Sequence, residues 1–178
     1  MTPTTSGPTT GNPAVSTGRL GRHGLTLGPD GLGVVQVGEG QPATVKAMTL
    51  YLGHPNQTTT GGCLRRIEVE WNDLSLEFCS GRLSGYRYLR GGLPVDGTTI
   101  IPSGPTSPLL TTATGVALGT ALGEVRKLYT ATDFSYEHGG SIVVPGLSAG
   151  DQMALLFFGD LPTTPLVEVK GGQTCGDY

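Results

Sequence analysis

The chain has 178 residues, of which 30 are Gly and 13 are Pro, and only 14% are charged, a composition that favours strands and turns over long helices. The net charge of −3 would not draw the chain to a phosphate backbone or to anionic lipid, so we expect no nucleic-acid partner. Because no apolar run approaches the roughly 18 residues of a membrane helix, we also expect no transmembrane segment.

Residues 1–18 predict a disordered tether. They are Thr, Pro, Ser and Gly with almost no apolar side chains, and such a segment cannot offset the entropy of ordering. Tethers of this composition often follow a removed signal peptide or a lipid-modified cysteine. We therefore expect a protein that is secreted or membrane-anchored outside the cytoplasm. In the anchored form, removal of an N-terminal segment would accompany attachment of a lipid. A cytosolic protein with a disordered N-terminus is the alternative.

Residues 19–90 predict a first α+β unit. A Pro-Asp-Gly turn leads into an apolar strand at Leu32–Val37, and helical spacing of apolar residues predicts a helix over Pro42–Leu52. The polar stretch His54–Gly62 is interpreted as a loop. From Leu64 to Leu89 apolar and polar residues alternate through two turns, which predicts a three-stranded meander.

The register of this meander follows from its turns. A two-residue turn at Asn72-Asp73 puts every large apolar side chain on one face, with Ile67, Val69 and Trp71 opposite Phe78, Leu76 and Leu74. A second turn at Ser80-Gly81 sets Ser75 opposite Tyr86. The other face is then predicted to carry a mixture of charges and tyrosines: Arg66, Glu68, Glu70, Glu77, Arg82, Tyr86 and Tyr88.

Residues 91–110 are rich in Gly and Pro and predict a linker, after which the pattern restarts in a second α+β unit at residues 111–178. Its apolar spacing predicts a short helix around Leu122 and Val125 and strands at Ser141–Pro145, Gln152–Phe158 and Leu166–Lys170. The predicted fold class is α+β: two tandem units of strand, helix and three-stranded meander, with the helices packed on a mostly antiparallel sheet.

Several segments carry a resemblance that covers nearly all of residues 24–176: Asp30-Gly31-Leu32-Gly33, Gly62-Cys63, Val69 to Phe78, Gly81 to Tyr88 and Cys175-Gly176. In these segments the chain resembles uncharacterised exported proteins of actinobacteria. Those proteins in turn resemble tandem copies of the helix-plus-meander unit of the beta-lactamase inhibitor protein and the lipoprotein BamE. The resemblance implies an exported interaction domain and supplies no functional residue.

Three cysteines allow one disulfide and one remaining thiol. Cys63 has inward parity and Cys79 outward parity, so a bond between them would need a bulge or a longer turn. We favour Cys63 bonded to Cys175, which would close a long loop; three free thiols in a reducing compartment are the alternative. Neither the cysteines nor the histidines have ligand spacing, so no metal or cofactor is expected.

The mixed-charge face favours a non-catalytic, exported or cell-envelope module that binds a protein, of the kind that includes inhibitors. Nothing in the sequence names the partner. One alternative is an envelope hydrolase that uses meander carboxylates from among Glu70, Asp73 and Glu77. Another is a structural or phage-derived surface protein, which the Gly-rich composition also suits.

Overall fold

A computed structural model describes residues 25–61, 65–89, 110–129, 134–135, 140–146, 152–173 and 175. Of the expected segments, the tether at 1–18 and almost all of the linker at 91–110 lie outside these residues. In chain order the elements are β1 (Thr26–Leu27), α1 (Gln41–Leu52), β2 (Gln57–Gly61), β3 (Arg66–Trp71), β4 (Leu74–Cys79), β5 (Arg82–Leu89), β6 (Thr111–Thr112), α2 (Leu122–Leu128), β7 (Phe134–Ser135), β8 (Gly140–Pro145), β9 (Gln152–Phe157) and β10 (Leu166–Gly172).

Eight strands form one sheet in the order β2-β3-β4-β5-β10-β9-β8-β7, and every neighbouring pair in it is antiparallel. The last strands of the two halves of the chain, β5 and β10, pair at its centre. The short strands β1 and β6 pair in parallel as a separate ribbon. Because the described residues also form two helices, the protein is α+β, as the sequence predicts.

One face of the large sheet, the inner face, is covered by the two helices and the segments that precede them. Met48 of α1 and Val125 of α2 are fully buried in one cluster with inward side chains of the sheet, including Leu76, Phe78 and Phe157. Each fully buried side chain of this size stabilises the fold by about 1.5–3 kcal/mol relative to exposure. Burial of apolar side chains from both halves is therefore what joins the helices to the sheet.

Helix α1 has the predicted bounds to within one residue. Pro42 lies in its first turn, where a missing N–H costs nothing, and Gly53 follows its last residue with φ 79°. The indole Nε1 of Trp71 donates a hydrogen bond to the Gly53 carbonyl at 2.9 Å. This bond fixes the end of the helix to the end of β3.

The predicted β3–β4 register is confirmed: Ile67 pairs with Phe78, Val69 with Leu76 and Trp71 with Leu74. Two-residue turns make both hairpins of the meander. Asn72 has φ 48° in the first turn, whereas Ser80 and Gly81 have φ 52° and 78° in the second, the positive values that a type I′ turn requires. The turn chemistry thus sets which side chains of β3 and β4 face inward.

Two elements differ from expectation. Residues 32–37 form a compact loop instead of a strand, because Leu32 N–H bonds to Val35 O and Val37 N–H to Asp30 O. The predicted loop His54–Gly62 instead contains strand β2, which pairs with β3 although all five of its residues are exposed. Uncharged Thr residues suit an edge strand that buries nothing, so hydrophobic alternation does not reveal it.

The second half contains α2 and strands β8, β9 and β10 where the sequence predicts them, with small differences at the ends. The described residues also include β7, a strand of two residues that the sequence does not predict. Neither described helix combines the length and apolar character needed to cross a membrane.

The predicted disulfide is wrong: Cys175 is bonded to Cys79, with 5.8 Å between their Cα atoms. Cys79 ends β4 with its side chain on the face opposite Phe78, as its parity predicts. After β10 the chain passes across the end of β5, where Gln173 N–H bonds to Ser84 O, and this path brings Cys175 to Cys79. Cys63 lies outside the described residues.

Candidate functional site

The outer face of the large sheet, defined by Glu68, Glu77 and Arg87, is the face opposite the helices. A groove of about 630 Å³ crosses it from β3 to β9. Its walls are polar and charged, and it is lined mainly by Arg66, Glu68, Ser75, Glu77, Arg87, Gln152, Ala154 and Lys170. We refer to this feature as the groove.

The floor of the groove at its centre has no side chains. Gly85 of β5 and Gly172 of β10 pair directly, and both belong to the lining. A Cβ atom on Gly172 would overlap the Ser84 carbonyl, and one on Gly85 would lie 2.7 Å from Gly171 O. The close approach of the two backbones therefore requires glycine, and the missing side chains leave the depression.

Tyr86 and Tyr88 do not belong to the outer face. Phe78 pairs with Leu83 and Glu77 with Gly85, so Ser84 is an extra residue in β5, a β-bulge. The bulge reverses the parity of the following residues, and Tyr86 and Tyr88 are consequently only 4% and 3% exposed. The expectation of two tyrosines on an open surface is thus wrong.

Both phenols are integrated in the core. Tyr86 Oη donates to Gly28 O at 2.9 Å, and Tyr88 Oη accepts from Leu110 N at 3.4 Å. Burial raises the pKa of Tyr86 far above its usual value of 10.0. Tyr86 is therefore a neutral structural side chain and not a contact residue for a partner.

Arg66 organises the first charge cluster of the groove. Its guanidinium lies 3.5 Å from Glu68 Oε2 and 3.2 Å from Glu77 Oε1. Glu68 and Glu77 are direct cross-strand neighbours whose like charges would repel without a cation between them. Glu77 Oε1 also accepts a hydrogen bond from Cys175 N at 2.9 Å, so the disulfide-bonded end of the chain holds this carboxylate in place.

The second charge cluster joins β5 to β10. Glu168 forms a hydrogen-bonded ion pair with Arg87 Nε, and Lys170 Nζ lies 3.6 Å from the same carboxylate oxygen. The Glu168 side chain is only 7% exposed, whereas those of Arg87 and Lys170 are 34% and 43% exposed. One buried anion therefore orients two cations that remain accessible from the groove.

Glu70, Asp73 and Arg82, which the sequence also suggested as site residues, do not line the groove. Glu70 lies opposite Ser75 and lines a second depression of about 280 Å³ beside the groove, together with Asp73. Asp73 is in the turn between β3 and β4 and is 8% exposed. Arg82 is exposed at the start of β5 and donates to Gly38 O at 2.9 Å, so it is bonded to the loop before α1.

Sequence reasoning missed Arg87, Glu168, Lys170 and the glycine floor. The Ser84-Gly85 dipeptide is a signal that could have found part of this set, because an isolated Gly within a strand pattern often marks a bulge. With the bulge included, Arg87 alternates outward. Glu168 could not be paired with Arg87 from the sequence, because the β5–β10 pairing joins residues about 80 positions apart.

Three metal-ligating groups meet at one end of the groove. One ligand atom from each of Glu77, Cys79 and Cys175 lies within 4.8 Å of the others. In the oxidised protein the two sulfurs are bonded to each other, which leaves the carboxylate as the available ligand.

Comparison with known proteins gives one structural similarity. The chain is similar to an extracellular protein containing a SCP domain from Bacillus anthracis str. Ames, with a TM-score of 0.46 and 11% sequence identity over 77% of this chain and 44% of that chain. It thus spans less than half of that protein's length, and a similarity of this size does not establish a shared fold or activity. No protein-family model matches the chain, and no curated protein matches it.

Proposed function

We propose that the protein is a non-catalytic module, exported or held in the cell envelope, that binds another protein through the outer face of its large sheet. The single observation that carries this proposal is the groove, which lies on the face opposite the described helices and exposes both positive and negative side chains. Interfaces of this mixed character gain specificity from charge complementarity, and arginine is enriched in them.

The charge clusters are suited to binding because they are already ordered. Glu168 holds Arg87 and Lys170, and Glu77 and Glu68 hold Arg66, so a partner would not bear the whole entropic cost of fixing these long side chains. A partner carboxylate could share the exposed edges of Arg66 and Lys170. Preorganised side chains of this kind favour recognition of a defined surface.

The same geometry supports a hydrolase less well than a binding module, because the meander carboxylates are not arranged as an acid and a base. Glycan hydrolysis needs an acid and a base that face one substrate bond. Glu77 Oε1 is already bonded to Arg66 and to the Cys175 N–H, and Asp73 lies in a turn beside a different depression. We do not propose a structural or phage-derived surface protein, because no described contact favours it over partner binding.

The disulfide supports the location in this proposal. Bonds such as Cys79–Cys175 persist in oxidising environments and are rare in a reducing cytosol. A secreted protein and a membrane-anchored protein outside the cytoplasm both agree with this chemistry.

As part of the same proposal, the two halves are tandem copies of one unit that resembles the helix-plus-meander unit of the beta-lactamase inhibitor protein and BamE. Corresponding contacts support the duplication. Gly38 N bonds to Leu83 O and Leu83 N to Glu39 O in the first half, and the second half repeats this pair of bonds with Gly119, Leu166 and Thr120. Gly38 and Gly119 have φ 90° and 89°, and a bulge follows both Leu83 and Leu166.

Partner capture with matched charge variants tests the proposal. The double variant Arg66→Ala, Lys170→Ala removes two groove cations, and Arg126→Ala, Lys127→Ala removes two exposed cations from α2. The immobilised full chain is exposed to secreted and envelope fractions, and the bound proteins are identified by mass spectrometry. The affinity of the identified partner for each variant is then measured by calorimetry. We expect the groove variant to bind its partner at least about tenfold more weakly, and the α2 variant to bind normally.

Two outcomes would contradict the proposal. Equal retention of the same partner by both variants would show that binding does not use the groove. Retention of no protein by the unaltered chain would remove the basis for a binding module. Circular dichroism of both variants, compared with the unaltered chain, excludes loss of folding as the reason for lost binding.

A further inference from the structure

We propose that reduction of the Cys79–Cys175 disulfide converts it into a metal site, in which Cys79, Cys175 and Glu77 bind one thiophilic divalent cation such as Zn²⁺ or Cd²⁺. This inference does not depend on the proposed function. It rests on the three ligand atoms that lie within 4.8 Å of one another at the end of the groove. None of the three residues is fully buried, so both a reductant and a metal ion can reach them.

The ligands stay together without the S–S bond because separate contacts hold them. Gln173 and Cys175, which we call the C-terminal strap, are bonded through Gln173 N to Ser84 O at 2.8 Å and through Cys175 N to Glu77 Oε1 at 2.9 Å. Tetrahedral zinc, with Zn–S distances of about 2.3 Å, needs sulfurs only about 3.8 Å apart. Reduction therefore requires the sulfurs to separate by a small amount within a cluster that is already formed.

The donor set and its charge suit a soft cation. Two thiolates and a carboxylate carry three negative charges, and thiolate ligands select zinc and similar metals over calcium or magnesium. With a divalent ion the net charge is −1, which Arg66 balances from 3.2 Å away at Glu77. Ser84 borders the site: its hydroxyl donates to Glu77 O at 2.9 Å, and its Oγ lies 3.8 Å from Cys175 Sγ.

The chemistry balances with a dithiol as the reductant. Its two thiols are oxidised to a disulfide, while Cys79 and Cys175 each gain one electron and one proton. Metal binding then releases these two protons to solvent as the two metal–sulfur bonds form. The C-terminal strap is consequently clamped to β4 in both conditions, by a covalent bond when oxidised and by a metal when reduced.

Cadmium titration of the reduced full chain tests the site. The protein carries Cys63→Ser, so that only two thiols remain, and is reduced with dithiothreitol that is then removed without air. We expect one Cd²⁺ per chain, detected by the near-ultraviolet absorption of cadmium thiolates. Hydrogen exchange at Gly171–Gln173 should slow when the metal binds.

Variants separate this site from adventitious binding. Glu77→Gln should weaken Cd²⁺ binding by at least about tenfold, since loss of even an outer-shell group costs this much. Glu70→Gln, on the same face and outside the cluster, should leave the affinity unchanged. No thiolate absorption, equal affinity in Glu77→Gln, or full affinity in Cys175→Ser would each overturn the proposal.

A measurement on the unaltered chain avoids any loss of folding in the variants. The reduced protein is alkylated with iodoacetamide with and without Cd²⁺, and the modified cysteines are identified by mass spectrometry. The metal should protect Cys79 and Cys175 from alkylation. Alkylation of both at unchanged rates would refute the metal site.

Discussion

Removal of the disulfide should cost a large part of the stability of the protein. The bond joins Cys79 and Cys175 across a sequence separation of 96 residues. For a closed loop of that length the restriction of the unfolded chain is worth about 4.7 kcal/mol at 25 °C. Cys79→Ser, Cys175→Ser should therefore lower the free energy of unfolding by about 4 to 5 kcal/mol, which corresponds to roughly 10 to 20 °C in Tm for a chain of this size.

Urea unfolding, followed by the fluorescence of Trp71, measures this change. With a slope of about 2 kcal/mol/M, the unfolding midpoint should fall by about 2 M. Both the variant and its reference carry Cys63→Ser, so that no third thiol can exchange with the bond. A loss under about 1 kcal/mol would refute the loop-closure argument, since the bond would then not restrict the unfolded chain.

Three smaller perturbations concern the centre of the sheet. Gly171→Ala places a methyl group in the space of the Tyr86 ring and should lower the free energy of unfolding by about 2 kcal/mol or more in urea. Glu168→Gln leaves the partly exposed Arg87 without its carboxylate and should cost about 1 to 3 kcal/mol in the same assay. Tyr86→Phe removes the bond to Gly28 O and should cost about 1 to 2 kcal/mol. Because burial raises the pKa of Tyr86 above its unfolded value of 10.0, the stability that its neutral phenol contributes is complete below pH 10 and is lost as the pH rises further, which unfolding at graded alkaline pH measures.

Each of these predictions has a matched control. Gly61→Ala, in open space at the end of β2, should change stability by less than about 0.5 kcal/mol. Glu124→Gln breaks an exposed pair with Lys127 and should have a similarly small effect. In Tyr86→Phe the stability should fall less steeply above pH 10 than in the unaltered chain. Equal costs in the variants and their controls, or identical alkaline profiles, would contradict the assigned contacts.

The sequence predicted the elements in which polar and apolar residues alternate or recur clearly. Helix α1, the β3–β4 register and three strands of the second half follow from periodicity and turn chemistry. Strand β2 was not found because its five residues are exposed on both faces, so nothing in its hydropathy distinguishes a strand from a loop. In the loop at residues 32–37, Leu32 and Val35 are apolar because they are buried in the core. In the sequence, such apolar residues are indistinguishable from those of a strand.

The candidate site was predicted only in its first part. Arg66, Glu68 and Glu77 were placed on one face correctly, because a strict two-residue turn fixes their register. One extra residue, Ser84, then moved Tyr86 and Tyr88 to the opposite side. The contribution of β10 could not be foreseen, since a pairing between strands from distant parts of the chain leaves no local pattern in either strand.

The pairing of β5 with β10 has a consequence for how the protein can be divided. Cutting the chain between its halves would leave both strands with a bare row of N–H and C=O groups, flanked by the aromatic rings of Tyr86 and Tyr88 in one fragment. Such an edge invites pairing with any other extended chain. The halves thus depend on each other for solubility, and a fragment of either one would tend to aggregate.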